Sequence, residues 1–182
     1  MAEFTAIQNY LRSFALYVRK EAKANLKAKG KGGGELEKSI KFRVVKTADG
    51  YKAQLMMADY GTFLDKGVSG TKTKRTFTNF DGASEPTPYS YKTVGPPIDI
   101  LSKWIKKKGI KPKGLGKGRD KKSGRFVSGL AYLISKKIKR EGIPSLSFFS
   151  KPLNLAMKNF GVEMLSAVKE DILTEFSKIK QT

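Results

Sequence analysis

The chain has 182 residues, 39% of them hydrophobic and 10% aromatic, enough for a globular domain with a real core. It contains no cysteine and no histidine. That excludes disulfides, thiolate nucleophiles, cysteine-ligated zinc or iron–sulfur clusters, imidazole ligands and a Ser-His-Asp triad, and it suits a reducing cytoplasm. The 37 Lys and Arg against 16 Asp and Glu give a net charge of +21, which implies an anionic neighbour: nucleic acid, a membrane surface or acidic protein.

No apolar run reaches the roughly 18 residues of a membrane span. Met1–Tyr10 lacks the basic-then-apolar pattern of a secretory signal. In chain order, Phe4, Ile7, Leu11, Phe14 and Val18 repeat at three-four spacing and predict an amphipathic helix over 2–29. Glu3 sits near its positive end and Lys27 and Lys29 near its negative end; Gly30 stops it. Gly30–Gly34 reads as a flexible linker.

Ile40, Phe42 and Val44 alternate with Lys41 and Arg43, and Tyr51, Ala53, Leu55 and Met57 alternate with Lys52 and Gln54. Asp49-Gly50 between them is a hairpin turn pair, so two antiparallel strands are expected. A lone ribbon is marginal, so the first helix is its natural cover. Tyr60, Phe63 and Leu64 mark a short helical turn ended by Gly67. Residues 68–95 show no period and read as a long loop carrying Lys72, Lys74 and Arg75, with a short strand at Tyr89 and Tyr91.

Pro96-Pro97 opens a helix whose buried face is Ile98, Leu101, Trp104 and Ile105; Lys106–Lys108 lie at its negative end and Gly109 ends it. Residues 111–125 form a basic loop. Phe126, Leu130, Ile134 and Ile138 mark a further helix ended by Gly142. Pro144–Pro152, with Phe148 and Phe149, is an apolar connector. Leu153, Met157, Phe160, Met164, Leu165, Val168, Ile172, Phe176 and Ile179 define one long C-terminal helix. The expected fold class is α+β, a single domain over 1–182: long amphipathic helices packed on a small antiparallel sheet, with long basic loops. Its parts are an N-terminal helix (1–29), hairpin and short helix (35–67), long loop (68–95), helices flanking a basic loop (96–149) and a C-terminal helix (150–182).

Catalytic signatures are weak. Ser69-Gly70-Thr71-Lys72 matches the letters of Ser-x-x-Lys, but that motif needs a helix to bring lysine beside serine, and these residues fall in a loop without companion motifs. Gly114–Gly118 departs from a Walker loop, which needs glycine where Lys111 stands, and no strand precedes it. The carboxylates Asp49, Asp59, Asp65, Asp81 and Glu85 form no metal-binding spacing; Asp49 suits its turn and Asp59 the start of the Tyr60 helix. No cofactor and no catalysis are expected.

The basic loops carry the sharper signal. Lys72, Lys74, Arg75, Lys111, Lys113, Lys117, Arg119, Lys121, Lys122 and Arg125 are candidate contacts to DNA or to an acidic partner, against the plainer reading of solvated loop charge. Few aromatics lie among 111–125, so nucleic-acid contact there is expected at the backbone, without sequence reading.

Pro96-Pro97-Ile98, Ile100-Leu101, Trp104-Ile105, Lys108-Gly109-Ile110, Ala131-Tyr132, Ile134, Ile138, Gly142-Ile143 and Phe148-Phe149, in that order, resemble the head–tail joining, or tail-completion, proteins of tailed bacteriophages. Tyr60–Gly67 is similar to that family's aromatic-rich segment before a glycine. The resemblance covers most of the chain, from the first helix to Phe149. It implies a non-enzymatic virion protein, assembled in the host cytoplasm, that forms a homo-oligomeric ring of six or twelve subunits. Such a ring lies at the head–tail junction as a neck, connector or tail-completion piece. The implied partners are the portal and the tail or adaptor proteins, with nonspecific contact to genomic DNA and no membrane. Residues 68–95 and 111–125 are longer and more basic than the family's pattern. The competing reading is a nonspecific nucleic-acid-binding protein.

Overall fold

The computed structural model describes residues 5–110, 117–119 and 126–179. The fold is α+β. Its elements are α1 (Thr5–Ala28), α2 (Glu35–Ser39), β1 (Lys41–Thr47), β2 (Gly50–Met56), α3 (Tyr60–Lys66), β3 (Thr76–Thr78), β4 (Ser84–Pro86), α4 (Ile98–Lys107), β5 (Lys117–Arg119), β6 (Phe126–Ser128), α5 (Gly129–Glu141), α6 (Ser150–Met157) and α7 (Phe160–Ile179). The strands pair two by two: β1 with β2, β3 with β4, β5 with β6. The sequence reading treats the chain as one domain; its contacts cluster into two compact units, each built from separate stretches. Unit 1 is Met1–Asp65, Thr78–Glu85 and Leu146–Thr182, and unit 2 is Lys66–Phe77 and Pro86–Ser145.

In unit 1, α1 packs on both strands of the β1–β2 ribbon and on α6 and α7. It buries Leu11, Ala15, Val18, Ala22 and Leu26, a three-four stripe whose alanines let neighbouring backbone approach. Ile7 and Phe14 of the expected face are half-buried; Glu3 and Phe4 lie outside the described residues. The ribbon is antiparallel from Lys41↔Met56 to Thr47↔Gly50. Its two-residue loop is therefore Ala48-Asp49, one residue earlier than expected. Gly50 opens β2 at φ 134, a conformation that needs glycine.

A core of Ala22, Leu26, Leu36, Ile40 and Phe148 lies beneath this layer, with Met57, Leu64, Leu146 and Phe149 around it. Phe148 is fully buried, and burial of such a ring stabilises by roughly 1.5–3 kcal/mol. α2, which the sequence reading left inside the hairpin segment, supplies Leu36 to this core.

Two buried carboxylates hold helix starts. Asp65 Oδ1 accepts the backbone N–H of Phe149 at 2.7 Å and of Ser150 at 3.2 Å, and its Oδ2 accepts the Ser150 hydroxyl. Asp171 accepts the N–H of Ala6 at 2.8 Å and of Ile7 at 2.9 Å. Both satisfy amides that a helix leaves unpaired in its first turn, and both place negative charge at a positive helix end. Asp65 thus has a structural role in place of the metal-ligand role considered for it.

In unit 2, α4 and α5 pack together and both meet β6. Val68 and Ile143 exchange both backbone hydrogen bonds at 2.8 Å, joining the start and end of the unit. Residues 68–95 are therefore not one loop: they include β3 and β4, and Ser69 forms a bridge to Ser90 beside the expected Tyr89–Tyr91 strand. Phe126 lies on β6 rather than opening a helix. The single C-terminal helix is two, α6 and α7, separated at Lys158-Asn159.

Candidate interaction surfaces

Residues 68–75 lie against the end of α5. The N–H groups of Thr71 and Lys72 donate to the carbonyls of Lys139 and Arg140, both at 2.9 Å. These are carbonyls that a helix end leaves without partners. The approach needs glycine at two places. A Cβ at Gly70 would stand 2.3 Å from the Arg140 carbonyl oxygen, and one at Gly142, where φ is 73, would stand 2.1 Å from that of Val68.

This packing separates the three candidates of the first basic stretch. Lys72 and Lys74 are exposed, whereas Arg75 is half-buried. The Nε of Arg75 donates to the Glu141 carbonyl at 3.0 Å, its N–H donates to the Ser69 hydroxyl at 2.9 Å, and its carbonyl accepts from Thr87. Arg75 is therefore a fastening residue. The contact brings Lys72 and Lys74 beside the basic end of α5, where Lys137, Lys139 and Arg140 are opposed by Glu141. Arg140 and Lys137 reach that carboxylate at 2.7 and 4.0 Å, and the Arg140 hydrogen bond is the main reason its pKa falls below the usual value. These cations are not among the contacts expected from the sequence; the run Lys136-Lys137-Ile138-Lys139-Arg140 is visible there, but its proximity to Lys72 depends on the fold.

Lys117 and Arg119 lie on β5, paired antiparallel with β6. Lys111, Lys113, Lys121, Lys122 and Arg125, and the glycine-rich 114–116, lie outside the described residues.

The catalytic letters find no matching geometry. Ser69 is buried in extended backbone and its hydroxyl accepts from Arg75, so Ser69–Lys72 lacks the helix its motif requires. Asp49 and Asp59 are exposed in turns. Asn79 donates to Glu85 at 2.6 Å and its side-chain oxygen accepts from the N–H of Asp81 and Ala83, which organises the β3–β4 turn. Among the described residues no three carboxylates are grouped to hold a metal ion, and no helix is long and apolar enough to cross a membrane.

The larger features are apolar. Tyr10, Phe14 and Tyr17 of α1, with Leu155, Asn159 and Glu163, line an open groove of about 400 Å³. Phe14 meets Phe160 edge-on at 5.1 Å and Tyr10 meets it at 5.6 Å. Burial, then the nearby Glu163 carboxylate, raises the Tyr10 pKa. Trp104, expected in the core, is 45% exposed: α4 turns Ile105 inward and Trp104 outward. α7 likewise leaves most of its apolar residues in solvent.

Comparison of the chain with protein-family models, curated proteins and solved structures gave no match.

Proposed function

We propose that this protein is a structural subunit of the head–tail junction of a tailed bacteriophage, forming a homo-oligomeric ring that links portal to tail around the DNA channel. The observation that carries the reading is the exposed apolar surface of α7 and α4. Large exposed apolar patches belong to interaction sites, and a ring subunit needs such faces to meet its neighbours. The Pro96–Phe149 resemblance points the same way. The +21 charge suits a wall facing DNA or acidic portal and tail surfaces, with Lys72, Lys74 and the α5 cations as backbone contacts.

The test is negative-stain electron microscopy with mass photometry of the purified protein, with and without duplex DNA, at low and high salt. Closed rings of six or twelve subunits without DNA are expected. A monomer that binds duplex DNA only at low salt would replace this reading with that of a nonspecific nucleic-acid-binding protein.

A further inference from the structure

The register of the β1–β2 ribbon sorts its side chains into two faces. Phe42, Val44, Tyr51, Ala53 and Leu55 are half-buried on the side that meets α1, where the Arg19 guanidinium lies 6.0 Å from the Phe42 ring centre. Lys41, Arg43 and Lys52 are exposed on the other side. Arg43 stands opposite Gln54, and its Nε donates to the Gln54 side-chain oxygen at 2.6 Å. Lys52 stands opposite Val45, the next outward position along the ribbon. By strand rise the three cations line about 13 Å of this face.

The charge here is uncompensated. The two strands hold four cations and no carboxylate. Among the described residues no carboxylate pairs with Lys41, Arg43 or Lys52. The end of α5 differs, because Glu141 opposes two of its cations. A row of unopposed cations suits a polyanion, and the rest of the face narrows the kind. The ribbon's aromatic rings, Phe42 and Tyr51, are on the α1 side, so the outer face has nothing on which unpaired bases stack. It also lacks the aromatic anchors of a protein interface. Gln54 holds the Arg43 fork by one N–H, and the remaining donors suit phosphate oxygens.

We infer that the outer face of the β1–β2 ribbon binds the phosphate backbone of duplex DNA through Lys41, Arg43 and Lys52. The contact reads no sequence, since it reaches phosphates alone. It is a second DNA-facing surface, in unit 1, besides the Lys72 and Lys74 cations of unit 2. Duplex DNA is the polyanion that the head–tail reading supplies, and the inference rests on that reading for its ligand; the contact itself needs no assembly.

The test is fluorescence anisotropy of a labelled, mixed-sequence DNA duplex titrated with the full chain over a range of salt. The ribbon triple Lys41→Gln, Arg43→Gln and Lys52→Gln is compared with a control triple, Lys151→Gln, Lys158→Gln and Lys169→Gln. The control removes the same charge from exposed positions elsewhere in unit 1, so it isolates the effect of net charge. Circular dichroism checks the fold, and Lys41→Glu with Lys52→Glu, which spares the Arg43–Gln54 bond, is the second variant. The ribbon triple should bind about tenfold or more weakly, and its slope of log K against log salt should be shallower by about 2–3, at roughly 0.9 per phosphate contact. The control should stay within about threefold of wild type. If both triples lose affinity alike, the charge acts only as a net field and the inference is wrong. It is also wrong if wild type binds no duplex, or prefers poly-glutamate to the duplex, which would assign the face to an acidic protein. Mass photometry keeps the two readings apart. Closed rings with undiminished DNA binding by the ribbon triple overturn the inference and leave the ring reading. Loss of DNA binding by that triple, in a protein that forms no ring, leaves the ribbon site and removes the ring reading.

Discussion

Asp65 accepts the backbone N–H of Phe149 at 2.7 Å from a position 84 residues earlier in the chain. The same carboxylate holds Ser150, so α6 begins on a group that belongs to the end of α3. The aromatic pair Phe148-Phe149 is positioned by this contact. Ser147, just before it, takes φ 44, uncommon for a residue other than glycine, with its N–H donated to the Asp65 carbonyl at 3.1 Å.

Asp65→Ala should therefore destabilise the protein by roughly 1–3 kcal/mol, since it leaves buried donors unpaired. Asp65→Asn keeps an acceptor oxygen and should cost less. Urea unfolding followed by circular dichroism measures both; equal stability of Asp65→Ala and wild type would remove the capping role.

Asp171→Ala should cost about 1 kcal/mol, the usual range for loss of an N-cap acceptor. The loss should appear as faster hydrogen exchange at the first amides of α1, Ala6 and Ile7. Unchanged exchange there would contradict the contact.

Gly142→Ala and Gly109→Ala separate two costs of replacing glycine. Both have positive φ, 73 and 65. A Cβ at Gly109 meets nothing within 4 Å, whereas one at Gly142 stands 2.1 Å from a carbonyl oxygen. Gly109→Ala should lose about 1 kcal/mol, and Gly142→Ala distinctly more, read as the difference in melting temperature.

The basic candidates should divide in the same way. Lys72→Ala with Lys74→Ala should leave stability within about 0.5 kcal/mol of wild type, as exposed substitutions do, and weaken any DNA binding at low salt. Arg75→Ala should lower the melting temperature, because it removes the hydrogen bond to the Glu141 carbonyl.

Glu37 gives a pH prediction. The N–H of Gly33 donates to its Oε2 at 2.6 Å and Lys27 pairs with it at 3.4 Å. The Gly33 bond is the largest cause lowering its pKa from the ordinary 4.5. The folded state thus binds this proton less readily than the unfolded chain. The contribution is present above pH 4.5 and is lost as pH falls through the lowered folded value. The melting temperatures of wild type and Glu37→Gln should differ at neutral pH and converge in acid.

Much of the fold was legible in the sequence, because helix and strand periods are local. Leu11 and Val18 marked the buried side of α1, and alternation through Phe42 and Leu55 marked the ribbon. The α6–α7 break was not legible: Leu153, Met157, Phe160 and Met164 keep three-four spacing across it, without a proline to signal the change. α2 and the three-residue strands β3 and β4 are too short to establish a period. Trp104 falls on the predicted buried face because spacing defines an apolar face but not what covers it. Asp65 and Asp171 act over 84 and 165 residues, a separation no local pattern records. For the basic surface, composition identified Lys72 and Lys74 but could not tell them from Arg75.

The Asp171 cap also orders events in time. During synthesis α1 emerges more than 140 residues before the carboxylate that completes its first turn. Until then α1 lacks the packing of α7, and a basic helix with a sticky side is presented to the cell. Contacts of such long sequence separation slow folding. Co-expression with a holdase should therefore raise the soluble yield.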